Sequence, residues 1–235
     1  MKRRESIIVA AFGGFGLAAA LRGSPAGAVT LNELSSAEAN QGLKAALEKG
    51  ATVAVDLLGR ADGFLGNPRV RIPLPAFLDQ AAGVLRAMGQ GGRLDELLTA
   101  MNRAAEAAVP LSKELLISAV RGMSLDDARK ILTGGETSGT AFFAGKTREP
   151  LTVRFLPVVQ KATEKVGLAE KYNSVAGRAA GLGLVRKEDA NIQQYVTGKA
   201  LDGLFLMMGE EEKKIRQNPV GAGSAILSRV FGALK

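Results

Sequence analysis

Apolar residues recur at helical spacing along most of this chain, and the strict alternation of a half-buried strand is nearly absent. Ser35 and Glu38 have the spacing of a capping box, which opens a helix running towards Leu58 and stopped by Gly59. Residues 60–75, RADGFLGNPRVRIPLP, form the one long irregular stretch. Gly63 and Gly66 loosen it, Asn67-Pro68 marks a turn, and Pro73 and Pro75 forbid helix between them. A short helix is predicted over 76–88, ended by the glycine-rich run at 89–92. Leu94, Leu97, Leu98, Met101, Ala105 and Ala108 then make a core-facing stripe, with Asp95, Thr99, Asn102, Arg103 and Glu106 on the opposite face. Pro110 ends that helix, another begins at Lys113, and Ser124-x-x-Asp127 caps a short one closing at Gly134-Gly135.

Three segments share a starting device. The seven residues from Pro110 to Leu116 align one for one with those from Pro150 to Leu156, and Pro73-Leu74-Pro75 opens a looser copy. With Ser112 and Thr152 as N-caps, Leu111 packs on Leu116 and Leu151 on Leu156 as hydrophobic staples. Nothing else in the three units matches, so common capping chemistry explains them better than a helical repeat. Phe142 and Phe143 read as core anchors of a short helix ended by Gly145. Residues 192–214 read as one long helix, hydrophobic nearly all round at 201–208, which belongs in the middle of a bundle. Glu210/Lys214 and Glu212/Arg216 are i,i+4 pairs at its polar end, before Asn218-Pro219. A final amphipathic helix is expected over 225–234.

The start of the chain breaks this pattern. Lys2, Arg3 and Arg4 precede an uncharged apolar run at 7–21, and Ala26-Gly27-Ala28 fits a small-residue cleavage site. These 15 residues fall short of the roughly 20 that a spanning helix needs. A cleavable export signal over 1–28 is therefore expected, with a periplasmic location. Glu5-Ser6 stand where a twin-arginine signal carries apolar residues, which favours the general secretory route. The rest, 29–235, shows no linker or composition shift and reads as a single helical domain. Removing the signal lowers the net charge from +8 to +5, with 27 basic and 22 acidic residues remaining. That balance suits an anionic membrane surface. Scattered basic residues and 5% aromatics argue against nucleic acid.

The 235 residues contain no cysteine, histidine or tryptophan. Thiolate nucleophiles, Cys-type metal sites and every histidine-dependent triad are thereby excluded within this chain. No cofactor motif and no metal-ligand pattern is found. Gly139 to Thr147 resembles a phosphate-binding loop, but its glycines are separated by five residues where four are required. Arg103 and Glu106 are i,i+3, Asn102 and Glu106 i,i+4, so the three meet on one helix face. The simplest reading is a surface ion pair. The alternative is that this face docks the 60–75 loop, whose Asp62, Asn67, Arg69 and Arg71 need partners, as a structural clasp or the polar mouth of a pocket. Phe205, Met207 and Met208, with Leu204, are candidates to line a lipid cavity.

Several blocks together look like a known family: DGFLGNP with IPLP (62–75), MNRAAEAAVP (101–110), ILTGG (131–135), ALDGLFLM (200–207), Glu211-Glu212 and the closing VFGALK (230–235). The chain resembles the bacterial family of domain of unknown function 4197 over essentially all of 29–235. The resemblance implies an exported, mainly helical single domain and offers no catalytic residues to carry over. The expected fold is an all-α, compact multi-helix bundle with the 60–75 loop laid across one end. The function expected first is non-enzymatic binding of an apolar or amphipathic ligand such as a lipid. The alternatives are a structural or partner-binding protein of the cell envelope, and a histidine-free enzyme using carboxylates such as Asp62, Glu106 and Glu211.

Overall fold

The structure, a computed structural model, describes residues 36–218, with side chains from Ala39 onward. The export segment, the Ser35/Glu38 capping box, Pro219 and the helix expected over 225–234 lie outside the described residues. Eight α-helices follow in order: α1 (Ser36–Leu58), α2 (Ala76–Ala87), α3 (Gly91–Ala108), α4 (Lys113–Arg121), α5 (Leu125–Thr133), α6 (Ser138–Thr163), α7 (Gly167–Gly181) and α8 (Ile192–Gln217). Short 3-10 turns occupy Val109–Ser112 and Lys187–Asp189, and no strand occurs among the described residues. The fold is all-α, as its periodicity predicts.

α8 is the axis. Leu204, Phe205, Met207 and Met208 spread around most of the helix circumference and all four are buried, while Leu206 on the remaining side is 47% exposed. Such a helix needs neighbours on most of its sides, and it packs against α6, α1 and α3. α2 lies at the periphery, chiefly on α3, with Leu78 and Ala82 as its buried anchors.

α6 overturns two expectations. It runs for 26 residues through Gly145, Pro150 and Thr152, so no helix ends at Gly145 and none starts at Thr152. The Thr152 hydroxyl donates to the Arg148 carbonyl one turn back (2.9 Å) and caps nothing. Leu151 is core rather than a staple. The prolines are tolerated because both face solvent, where water can reach the carbonyls they leave without a donor. The buried positions Gly139, Phe143, Thr147, Leu151, Phe155, Val159 and Thr163 recur every fourth residue. Each step of four advances about 40° around the helix. The buried stripe therefore winds, and the helix meets α5 and α4 as well as α3 and α8. Ser112 does stand at the N-cap position of α4, but its side chain caps nothing: it lies in a 3-10 turn and its hydroxyl donates to the Val109 carbonyl (2.6 Å), while Leu111 is exposed. By contrast Ser124 and Asp127 form the expected reciprocal box, and the hydrogen bonds from Ser124 hold the Asp127 carboxyl below its usual range.

The N-terminus of α6 has no local side-chain cap. Its buried amides must find acceptors elsewhere, and Glu212 of α8 supplies them. One carboxylate oxygen accepts from the Gly139 amide (2.9 Å), the other from the Thr140 amide (2.8 Å) and hydroxyl (2.9 Å). Arg216, one turn on, donates to Glu212, to the Ser138 hydroxyl and to the Ile131 carbonyl, tying the end of α5 into the same knot. Gly139 has to be glycine here, since a Cβ would come within 2.5 Å of Leu47. The Glu212/Arg216 pair is as expected, but Glu210 turns away from Lys214 to pair with Arg69, and Lys214 pairs with Glu211 (2.6 Å).

Replacing Glu212 with Ala should cost about 3–5 kcal/mol in urea unfolding, because Arg216 and the α6 amides lose a buried partner. Replacing the neighbouring Glu211, whose ion pair lies at the surface, should cost less than about 1 kcal/mol.

Candidate functional site

The 60–75 stretch stays irregular because of its glycines and prolines, so its backbone groups must find partners outside a helix. They find them on α3. Glu106, almost fully buried, accepts the amides of Phe64 and Leu65 (both 3.0 Å) on one oxygen and the Arg103 guanidinium (2.7 Å) on the other. Asn102 is 0% exposed and mimics a strand partner: its carbonyl accepts from Ile72 N–H (2.8 Å), and its amide donates to the Ile72 carbonyl (2.9 Å). The same amide donates to the Leu98 carbonyl (2.9 Å). Asn102 and Glu106 are therefore not on a solvated face of α3. The loop covers that face, and helical periodicity alone could not show it.

The other candidates divide. Asp62, whose φ of 62° is left-handed, pairs with Arg103 (2.8 Å), and the hydrogen bonds that the guanidinium donates to Glu106 and then to Asp62 raise its pKa. Arg69 reaches across to Glu210 of α8. Asn67 serves its own turn, its side chain accepting from the Arg69 amide (3.2 Å). Arg71 is exposed. Phe64, fully buried, presses on α8 where Gly203 leaves room, since a Cβ there would lie 2.8 Å from the ring. Sequence reasoning passed over Tyr195. Its hydroxyl donates to the Pro73 carbonyl (3.1 Å), pinning the far end of the loop, and burial pushes its pKa up to about 12. Its only sequence signal was a lone tyrosine on a helix whose centre is apolar.

These contacts make residues 60–75 a clasp, not an open polar mouth. Both oxygens of Glu106 are engaged, and Asp62 and Glu211 each have a cationic partner. No group of three or more acids that could hold a metal ion occurs among the described residues. Phe205, Met207 and Met208 are buried in the core among the described residues. The apolar hollow bordered by Met208, Leu43 and Phe143 is about 20 Å³, room for a single water.

A larger space opens at the periphery, between the end of α2, the start of α3 and the start of α7. This groove of about 420 Å³ has Leu85, Leu94 and Leu168 at its apolar side and Gln90, Arg93, Glu96 and Lys171 at its polar side. Neither cation is in an ion pair among the described residues, and both are exposed. Nothing in the sequence singled it out, because its lining comes from three helices, each contributing residues unremarkable alone.

Fold and site define a helical-bundle domain with a clasped loop, a packed core and an amphipathic groove at its periphery. The chain belongs to the family described as Protein of unknown function (DUF4197), whose model matches residues 33–232. No curated protein and no solved structure matches it.

Glu106→Ala strands two buried amides and should destabilise by about 3 kcal/mol in chemical denaturation, whereas Asp62→Asn, at the exposed end of the clasp, should cost under about 1 kcal/mol. Tyr195 makes a second test through pH. Its raised pKa means that its contribution to stability is complete below the unfolded value of about 10 and is lost as pH rises towards about 12. The chain has two tyrosines and no tryptophan, and burial raises Tyr172 as well, so phenolate absorbance should show late titration whose component near pH 12 is lost in Tyr195→Phe.

Proposed function

We propose that this is an exported, non-enzymatic protein that holds an amphipathic ligand such as a lipid, and that the ligand sits in the α2–α3–α7 groove. The observation that carries this reading is the contrast in volume: about 420 Å³ at the groove against about 20 Å³ in the apolar hollow beside Met208. Sites for small ligands run from about 300 to 1,000 Å³ and combine an apolar wall with a few polar groups. Here the leucines would take a hydrocarbon segment. Arg93 and Lys171 would take an anionic head, and Gln90 could hydrogen-bond to it. Glu96 at the same rim disfavours a purely anionic, chainless ligand, and so favours an amphiphile whose apolar part contributes to binding.

The polar residues that first suggest chemistry support a non-catalytic role, because their hydrogen-bonding capacity is used inside the fold. Glu106 and Glu212 each accept backbone amides from a segment distant in sequence, and each is also bonded to an arginine. A general acid or base needs a free lone pair or proton facing substrate. Export is supported by the basic-then-apolar start of the chain and its small-residue motif.

Native mass spectrometry of the purified protein titrated with lysophosphatidylglycerol should show one bound molecule. The double variant Arg93→Gln with Lys171→Gln should weaken it by about ten-fold or more, each lost bond being charge-assisted. Retained affinity in that variant, or no binding to the native protein, would remove the groove from consideration.

A further inference from the structure

On α7, Leu168, Lys171, Val175, Arg178 and Leu182 recur at alternating steps of three and four, so they share one flank. Every charged residue on that flank is a cation; the acid of this helix, Glu170, points well away from it. On α2, Phe77, Ala81, Val84 and Met88 form a second flank with the same steps and no charge. The helices border one another across two hollows: the Phe77 and Tyr172 rings meet edge-on at 6.5 Å beside Leu184, and Leu85, Leu168 and Lys171 line the larger groove. The flanks therefore run along the two sides of one seam. Its ends are the two turns whose glycines, Gly89 and Gly183, have positive φ (75° and 76°). Those turns hold out Met88 at one end, and Leu182 and Leu184 at the other. Met88, Leu182 and Leu184 are 68%, 77% and 74% exposed, and Val84 on the α2 flank is 64% exposed.

We propose that this α2–α7 surface docks on an anionic lipid bilayer, inserting Val84, Met88, Leu182 and Leu184 and setting Lys171 and Arg178 among the headgroups. Charge complementarity favours this occupant: Lys171 and Arg178 are exposed and outside any ion pair among the described residues, Asp189 beside Leu184 is paired with Arg186, and Glu96 lies in the groove with Arg93 and Lys171. The shape agrees. The four apolar side chains are mostly exposed on two turns and an outer helix flank, which a fluid hydrocarbon phase can envelop, whereas a protein partner would need pockets already cut to receive each one. The inference rests on the two flanks and not on the groove ligand, although docking here would bring the groove mouth to the lipid interface. No helix among the described residues is long and apolar enough to cross a membrane, so the contact is peripheral.

The absence of cysteine makes a site-specific test direct. Single variants Met88→Cys, Leu182→Cys and, as a control on the outer face of α6, Val153→Cys are labelled in the full chain with an environment-sensitive dye. They are then mixed with phosphatidylglycerol vesicles. The dyes at 88 and 182 should shift to an apolar signal and become shielded from an aqueous quencher, while that at 153 stays open. Arg178→Gln in the labelled chain should raise the half-saturating lipid concentration about five-fold. None of the three labelled positions lines the groove, so a lysolipid that still binds shows that a negative result belongs to this surface alone. Three outcomes overturn the proposal: no shielding at 88 and 182 even if the chain sediments with vesicles, equal shielding by uncharged phosphatidylcholine, or shielding that rises with protein concentration without lipid, which would make a second copy the occupant.

Discussion

Two buried glutamates decide how this chain is tied together. Glu106 on α3 and Glu212 on α8 each place a carboxylate against the amides of a segment that has no cap of its own, the 60–75 loop in one case and the start of α6 in the other. Each carboxylate is also held by an arginine on its own helix, three or four residues away. A buried carboxylate is tolerable only when its lone pairs are filled, and a buried amide only when it has an acceptor. Each requirement satisfies the other. α3, α6 and α8, which pack together in the centre, are thus also joined by hydrogen bonds to the parts of the chain that cannot make their own.

That arrangement has a functional consequence. The residues that look most like chemistry in the sequence, an acid–amide–arginine group on one helix face and a loop rich in charge, neutralise one another in the fold. Asn102 reproduces the pairing of a neighbouring strand for Ile72, and Tyr195 closes the loop at Pro73. With the clasp satisfied and the hydrophobic centre filled, unpaired cations and exposed leucines remain at the α2–α7 side. There the fold presents apolar surface and positive charge together, which is the combination an amphiphile or a lipid interface recognises.

How far the helices could be read in advance depended on what marks their ends. α2, α5 and α8 have terminators that act locally: the 89–92 glycines, the Ser124/Asp127 box, and Asn191, which caps α8 through the Gln194 amide (3.0 Å). α6 has the wrong punctuation for its length. Two prolines and Gly145 suggest breaks, and its buried residues step by four, so no single face accumulates the apolar periodicity that a straight, one-sided helix would show. The prolines are harmless only because they happen to face solvent. The staple expected at Thr152 failed for the same reason: a Pro-Leu-Thr motif starts a helix only when the preceding residues are not already helical.

The order of apolar and polar residues was enough by itself to specify an all-α chain, the irregular 60–75 stretch and a largely buried centre of α8, because helix period, proline and glycine act within a few residues of where they stand. The histidine and cysteine content likewise set limits that no folding could relax. Whether Asn102 and Glu106 meet water or a loop, whether Met208 borders a ligand-sized cavity or a hollow of about 20 Å³, and whether Leu85, Arg93 and Lys171 share a groove were decided only by tertiary packing. Each depends on segments tens of residues apart reaching the same place, and local spacing carries no record of that distance.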